Sequence, residues 1–283
     1  MNAIELNHVT KHYPSFTLND ISITLPEGMI MGLVGENGAG KTTIFRILTG
    51  IAKCDEGTFS LLGCSDPHHH KEVMNQVGVV SEDGHPPLMM NRKEIGTLFG
   101  MLYPGFDAAY YAQLGRQMNI PETTPYASLS KGNQMKLKIL CALSHHPQLL
   151  LFDEATSGLD PLARDELLDL LIDFTREEHH SILMSSHIVS DLEKACDYIV
   201  LLHEGSIMAN EAKDVMQESW RIVHCPGDRL EQIDRSAVFG KRITPYGAEL
   251  LMKHDQIPAG LSQEPASIED IFILMTKGAN HSA

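Results

Sequence analysis

The sequence predicts an α/β fold: a largely parallel sheet with helices packed on it and a helical segment inserted midway. Three observations carry this. Residues 29–34 and 149–152 are continuous apolar runs, as expected of parallel strands buried on both faces. Strand-like and helix-like stretches alternate through most of residues 1–210. Residues 83–144 interrupt them with a helical pattern that lacks convincing strands.

The elements follow in order. Ile4, Leu6 and Val9 begin a strand; Ile21, Ile23 and Leu25 alternate with Ser22 and Thr24, the period of a half-buried strand. Pro26-Glu27-Gly28 is a turn, and residues 29–34 lead straight into a glycine-rich segment, Gly35 to Thr43. Ile44, Ile47 and Leu48 recur at helical spacing, with Gly50 as C-cap. The second buried strand ends at Asp153-Glu154. Asp160-Pro161 opens a helix, Asp as N-cap and Pro in the first turn, with Leu167, Leu171 and Phe174 on its apolar face. Residues 182–184 form a strand and 189–196 a helix; runs at 198–202 and 207–209 flank the hairpin turn Glu204-Gly205. The tail after Asn210 has mixed periodicity and a final helix near 268–275, with Ser267 as N-cap. The expected organisation is a core of residues 1–82 and 145–210, a helical subdomain at 83–144 and a C-terminal accessory region at 211–283.

The chain has 283 residues, room for one large α/β domain and a small annex. Lys and Arg total 22 against 37 Asp and Glu, a net charge of −15, which argues against a nucleic-acid partner. Five scattered cysteines without CxxC spacing argue against a disulfide framework or a zinc site. His68-His69-His70 reads as a solvated loop rather than a metal site, because three adjacent residues cannot share one helix face. No apolar run is long enough to cross a bilayer.

The chemistry concentrates in two places. Gly35 to Thr42 fits GxxxxGK[ST], between a strand and a helix. Backbone N–H groups of Gly35, Asn37, Gly38, Ala39 and Gly40 are placed to curl round a β-phosphate, helped by the positive end of the helix. Lys41 reaches the β- and γ-phosphates, Thr42 ligates Mg²⁺, and Thr43 lies near the α-phosphate. Asp153 ends a strand where a carboxylate holds Mg²⁺ through water. Glu154, pointing the other way if strand geometry persists, polarises the attacking water as general base.

These motifs, with Leu129-Ser130-Lys131-Gly132-Asn133, Ser157-Gly158-Leu159-Asp160, His187 after its strand and Tyr13 near the N-terminus, resemble the ATPase subunit of an ABC transporter, in the family's order over about residues 4–210. The resemblance implies a P-loop NTPase core with an N-terminal antiparallel β subdomain. It implies ATP and Mg²⁺ as cofactors, with adenine stacked on Tyr13, His187 as the switch histidine, and Glu82 at the Q-loop as a further metal ligand. It implies a second ATPase subunit, of the same or a different chain, packed head to tail. Ser130 and Gly132 of the signature then meet the γ-phosphate held by the partner, with Asp160 in the D-loop. A separate transmembrane permease supplies all membrane spans and holds the chain at the cytoplasmic face of the membrane.

Three departures narrow the resemblance: Lys131 for the first variable signature glycine, Glu82 for the Q-loop Gln, and Ala155 for the Pro after the general base. Lys131, Glu82, Tyr103-Pro104-Gly105-Phe106-Asp107 and Ser267-Ile268-Glu269-Asp270-Ile271-Phe272 resemble a branch of bacterial exporters of antimicrobial peptides, bacteriocins or lantibiotics. The competing reading is a soluble regulatory ATPase of the same type, uncoupled from transport; a single ATPase unit without heptad repeats favours the transporter.

Overall fold

The computed structural model describes residues 1–176, 179–245 and 247–279. In chain order the elements are β1 (Asn2–Tyr13), β2 (Phe16–Pro26), β3 (Ile30–Gly35), α1 (Lys41–Leu48), β4 (Glu56–Leu61), α2 (Lys71–Met74), β5 (Val77–Ser81), α3 (Arg92–Leu102), α4 (Ala108–Gln117) and α5 (Lys131–Leu143). Then come β6 (Leu149–Asp153), α6 (Pro161–Thr175), β7 (Ser181–Ser185), α7 (Val189–Ala195), β8 (Tyr198–His203), β9 (Ser206–Ala212) and α8 (Lys213–Ser219). The chain finishes with β10 (Trp220–Cys225), β11 (Gly240–Thr244), β12 (Gly247–Lys253), β13 (Ser262–Pro265) and α9 (Ile268–Ala279).

The central sheet has the order β5-β6-β7-β3-β8-β9, parallel except for β9 at its edge. β3, β6 and β7 are buried along their whole length, which explains their unbroken apolar runs. Their side chains divide between two cores. Met31, Leu33, Leu149, Leu151 and Leu183 face α1 and the antiparallel sheet β2-β1-β4. Val34, Leu150, Phe152, Ile182 and Met184 face the opposite core, shared with α5, α6, α7 and α9.

Between β5 and β6 the chain forms no strand, only α3, α4, α5, a short 3₁₀ turn and an isolated bridge between Asn91 and Pro125. Asn91 and Glu94 cap α3 reciprocally. The 103–107 segment acts here as a pin. Tyr103 stacks on His145 at 4.5 Å, the Asp107 side chain accepts the Tyr110 N–H to start α4, and the Asp107 N–H donates to the Ser144 carbonyl at the end of α5. Burial lowers the pKa of His145 and favours its neutral form.

The tail holds more structure than its mixed periodicity suggests. It forms an antiparallel sheet, β11-β12-β10-β13, whose strands run four to seven residues. Burial on both faces of β10 erases the alternation that would reveal it. Trp220 and Ile222 join the core shared with α9, while Val223 and Cys225 line a small core of their own with Leu250 and Met252. Ser267 caps α9 by accepting the Asp270 N–H. Glu204 and Gly205 both have positive φ, as the tight β8–β9 hairpin requires. His69 pairs with exposed Asp66 in a surface turn. All five cysteines are free, and no helix among the described residues is long and apolar enough to cross a membrane.

Candidate functional site

Parallel register brings the carboxyl ends of β3, β6 and β7 together: Asp153 pairs with Ser185, and Leu33 with Ser185 on the other side. Such strand ends are where open α/β sheets place ligands. The glycine-rich segment leaves β3 at Gly35 and enters α1 at Lys41. Gly38 and Gly40 have φ of 86° and 113°, a region costly for other residues. At Gly40 a side chain would also strike Leu18, 2.7 Å from the position of a Cβ.

Lys41 is only 5% exposed. Its ammonium donates to the carbonyls of Gly35 and Glu36, at 2.6 and 3.2 Å, and lies 3.3 Å from Glu154 Oε1. The other Glu154 oxygen, Oε2, accepts from the His187 ring at Nδ1, 2.7 Å away, and from the His187 backbone N–H at 3.3 Å. An ionised carboxylate only accepts, so Nδ1 carries the proton in this contact.

Glu154 does not continue strand geometry. Its φ is 53°, left-handed, which costs about 1–2 kcal/mol in a non-glycine residue. The kink, rather than strand alternation, sends its side chain toward Lys41 and His187. Ser185 holds the turn: its hydroxyl donates to Asp153 Oδ1 at 2.7 Å and accepts the Glu154 N–H at 2.9 Å. Burial raises the pKa of Asp153, against hydrogen bonds from the Ser185 and Thr42 hydroxyls and the charge of Lys41.

These groups close one end of a cleft of about 890 Å³ lined by Tyr13, Thr42, Glu82, Asp153 and Glu154. Tyr13 sits under the Lys11 ammonium, 5.7 Å from the ring centre. Glu82 lies exposed at the rim just beyond β5. The carbonyls of Ser81 and Glu82 both accept from Lys138 Nζ, at 2.8 and 2.7 Å. Burial lowers the pKa of Lys138, against the charges of Glu82 and Asp83. The oxygen donors Thr42 and Asp153 fit a hard cation such as Mg²⁺, and the loop before α1 fits a phosphate chain.

Ser130, Gly132 and Asp160 stand apart from this cleft. Ser130 caps α5 through the Asn133 N–H, and Asp160 caps α6 through the Ala163 N–H. Lys131 is exposed on the first turn of α5, with its Cδ 4.0 Å from where a Cβ on Gly158 would lie. The signature and the 157–160 loop therefore form one surface. Two residues escaped the sequence reading, Ser185 and Lys138. Ser185 shows no signal of its own, since only register sets it beside Asp153. Lys138 is, with Lys136, one of two cations that alternate with Met135, Leu137 and Ile139 on α5.

The ABC transporter family profile matches residues 18–157. The ATP-binding protein YtrB of Bacillus subtilis (strain 168) is 29% identical over 283 residues, covering 95% of this chain and 97% of that protein. The uncharacterized ABC transporter ATP-binding protein YhaQ of the same strain is 32% identical over 295 residues, with 95% and 97% covered. The Nod factor export ATP-binding protein I of Sinorhizobium fredii (strain NBRC 101917 / NGR234) is 28% identical, with 97% and 86% covered. Among solved structures, an ATP-binding subunit of an ABC transporter superposes with TM-score 0.69 and 27% identity over 76% of this chain and 92% of that one. A nucleotide-free ATP-binding cassette shares the fold, with TM-score 0.62 and 20% identity over 75% of this chain and 92% of that one. Similarity along nearly the whole chain and a cleft lined by Thr42, Asp153 and Glu154, with Lys41 paired to Glu154, lead to one conclusion: the chain belongs to the ATP-binding proteins of ABC transporters and is an ATPase.

Proposed function

We propose that the chain is the ATP-hydrolysing subunit of a membrane exporter. The observation that carries this reading is the network Lys41–Glu154–His187, joined through Ser185 to Asp153 at the mouth of the cleft. Tyr13 stacks the adenine. The backbone of Gly35, Asn37, Gly38, Ala39 and Gly40 surrounds the phosphates, and Thr43 lies beside the first of them. Lys41 exchanges the Gly35 and Glu36 carbonyls for phosphate oxygens, which frees Glu154. Glu154 then takes the proton of the attacking water, and His187 fixes its orientation. Thr42, Asp153 and Glu82 would hold Mg²⁺, which neutralises phosphate charge in such sites.

Ser130, Gly132 and Asp160 serve the nucleotide of a second ATPase subunit, a reading supported by the resemblance of the signature and the 157–160 loop to the ABC family. One chain carries both halves of the arrangement, which suits a head-to-tail homodimer and equally a heterodimer with a related subunit. Residues 1–82 and 145–210 act as the ATP-binding core, 83–144 as the helical subdomain and 211–283 as the accessory region.

A groove of about 340 Å³ between β5 and the helical segment, walled by Val79, Pro87, Leu102 and Tyr103, receives a cytoplasmic segment of the separate permease. Val79 and Leu102 are 45% and 61% exposed there and offer apolar contact to a partner. The permease holds the chain at the cytoplasmic face of the membrane. Export is supported by the name of the Nod factor relative. A peptide or antibiotic-like amphiphile as cargo is supported by Lys131, Glu82 and the 103–107 segment. Glu154→Gln is the test: ATP binding is retained while hydrolysis falls about 10²–10⁴-fold. Wild-type turnover in that variant refutes Glu154 as the base.

A further inference from the structure

The last part of the chain differs in charge from the rest. Residues 220–283 carry seven Lys and Arg against eight Asp and Glu, while residues 1–219 carry fifteen against twenty-nine. Four of the seven cations have partners. Arg242 pairs with Glu249, Lys253 pairs with Glu211, Arg221 donates to the Gln217 and Trp220 carbonyls, and Arg229 donates to the Gly260 carbonyl. The remaining three, Arg235, Lys241 and Lys277, make no ion pair among the described residues, and all three line the same cavity.

That cavity has a volume of about 610 Å³ and lies between β11, β12 and the end of α9. Its floor is apolar: Leu250 is 1% exposed and Ile233 8%, and Val238 packs on the same small core. One acid, Glu231, shares the rim. The final turn of α9 also points its negative end this way, worth about half an elementary charge. Among the described lining residues three cations stand against Glu231 and the helix end, so the lining itself is net positive. Lys277 complements the helix end as well, but that role does not account for Arg235 and Lys241.

We propose that this cavity is a binding site for a small amphiphilic anion, a carboxylate or phosphate carried on an apolar body. The size and the pairing of an apolar floor with a few converging polar groups are those of small-molecule sites. The seam is close-packed, because Gly240 and Gly278 let β11 and α9 meet backbone to backbone; a Cβ on Gly278 would lie 2.6 Å from the Phe239 carbonyl oxygen. The site is distinct from the ATP cleft, with which it shares no lining residue.

A natural reporter stands beside it. Trp220 is the chain's single tryptophan and packs edge-on against Phe239, 4.8 Å between ring centres, next to Val238 and Gly240 of the cavity. Full-length protein is titrated with octyl phosphate and octanoate, following Trp220 fluorescence and, independently, heat of binding. Octylammonium and octanol are the charge controls. Saturable binding of the two anions is expected. The double variant Arg235→Glu/Lys241→Glu should weaken it about tenfold or more, the usual worth of charge-assisted hydrogen bonds. Lys41→Ala should leave it unchanged, which separates this site from the phosphate loop. Both reversed residues are exposed, so the variant's ATPase rate should stay at the wild-type level and report a folded protein. The proposal is overturned if octylammonium binds as tightly, if charge reversal leaves affinity within twofold, or if neither signal saturates. Sedimentation with phosphatidylglycerol vesicles without binding of free octyl phosphate would also overturn it, in favour of a bilayer surface.

Discussion

Asp153 shows how function sets the conditions of a single residue. Burial raises its pKa, so the folded protein binds this proton more readily than the unfolded chain. A carboxylate with a raised pKa weakens the fold as pH rises through the interval between its unfolded and folded values, and the loss is complete above the folded value. Asp153→Asn removes that penalty. The variant should melt higher than wild type at pH 7, and the difference should shrink as pH falls toward about 4, the ordinary aspartate range. Its apparent Mg²⁺ affinity in ATP hydrolysis should drop about 10–100-fold, the usual cost of losing a group that orients metal-bound water. Equal melting temperatures at pH 7 would show that the Ser185 and Thr42 hydroxyls offset the burial in full. Lys131 is the opposite case, an exposed cation on the first turn of α5. Lys131→Gly should leave ATPase activity within a few-fold of wild type, while Ser130→Arg should block ATP-driven dimerisation seen by gel filtration. A Lys131→Gly defect as deep as that of Lys41→Ala would make Lys131 a phosphate ligand.

Among the elements, α5 links two segments that lie far apart in sequence. Its first turn carries Ser130 as cap, and two turns later Lys138 grips the Ser81 and Glu82 carbonyls at the end of β5. One side chain therefore ties the helix to the Glu82 loop. Lys138→Met removes the donor and keeps the length of the side chain. It should cost about 1 kcal/mol of stability, the worth of a partly solvated charged hydrogen bond. ATP affinity should stay within a few-fold, while stimulation of hydrolysis by the reconstituted permease should fall, and Lys138→Arg should restore it. Full stimulation in Lys138→Met would confine Lys138 to packing.

At the scale of the molecule, the accessory region is built into the core rather than hung from it. Trp220, Ile268, Ile271 and Leu274 are at most 2% exposed and share one core with the central sheet. Glu211 receives both the Trp220 indole N–H and the Lys253 ammonium, and Glu193 of α7 accepts the Ile268 N–H. Each of those large apolar side chains contributes about 1.5–3 kcal/mol on burial, so four together approach the whole net stability of a typical domain. Truncation before Trp220 should therefore lower the melting temperature sharply or render the chain insoluble. A soluble product with unchanged melting behaviour would show that the two parts fold independently.

The central architecture was legible because strands buried on both faces read as unbroken apolar runs, and because a phosphate loop needs glycine at fixed places. Gly35 to Thr43, Asp153 and the caps Asp160, Ser130 and Ser267 could all be read from local chemistry alone. The short strands of the tail could not. A strand whose two faces enter different cores loses its period, as β10 does with Trp220 and Ile222 on one side and Val223 and Cys225 on the other. Nor could the left-handed turn at Glu154, since its cause is a hydroxyl on a neighbouring strand. The sequence by itself determined which residues carry charge, which are apolar, and where the backbone must bend. Tertiary structure alone decided that Ser185 meets Asp153, that Lys138 meets Glu82, and that three cations without an ion pair among the described residues share one cavity. Those are contacts between segments distant in sequence, and only sheet register and helix packing bring them together.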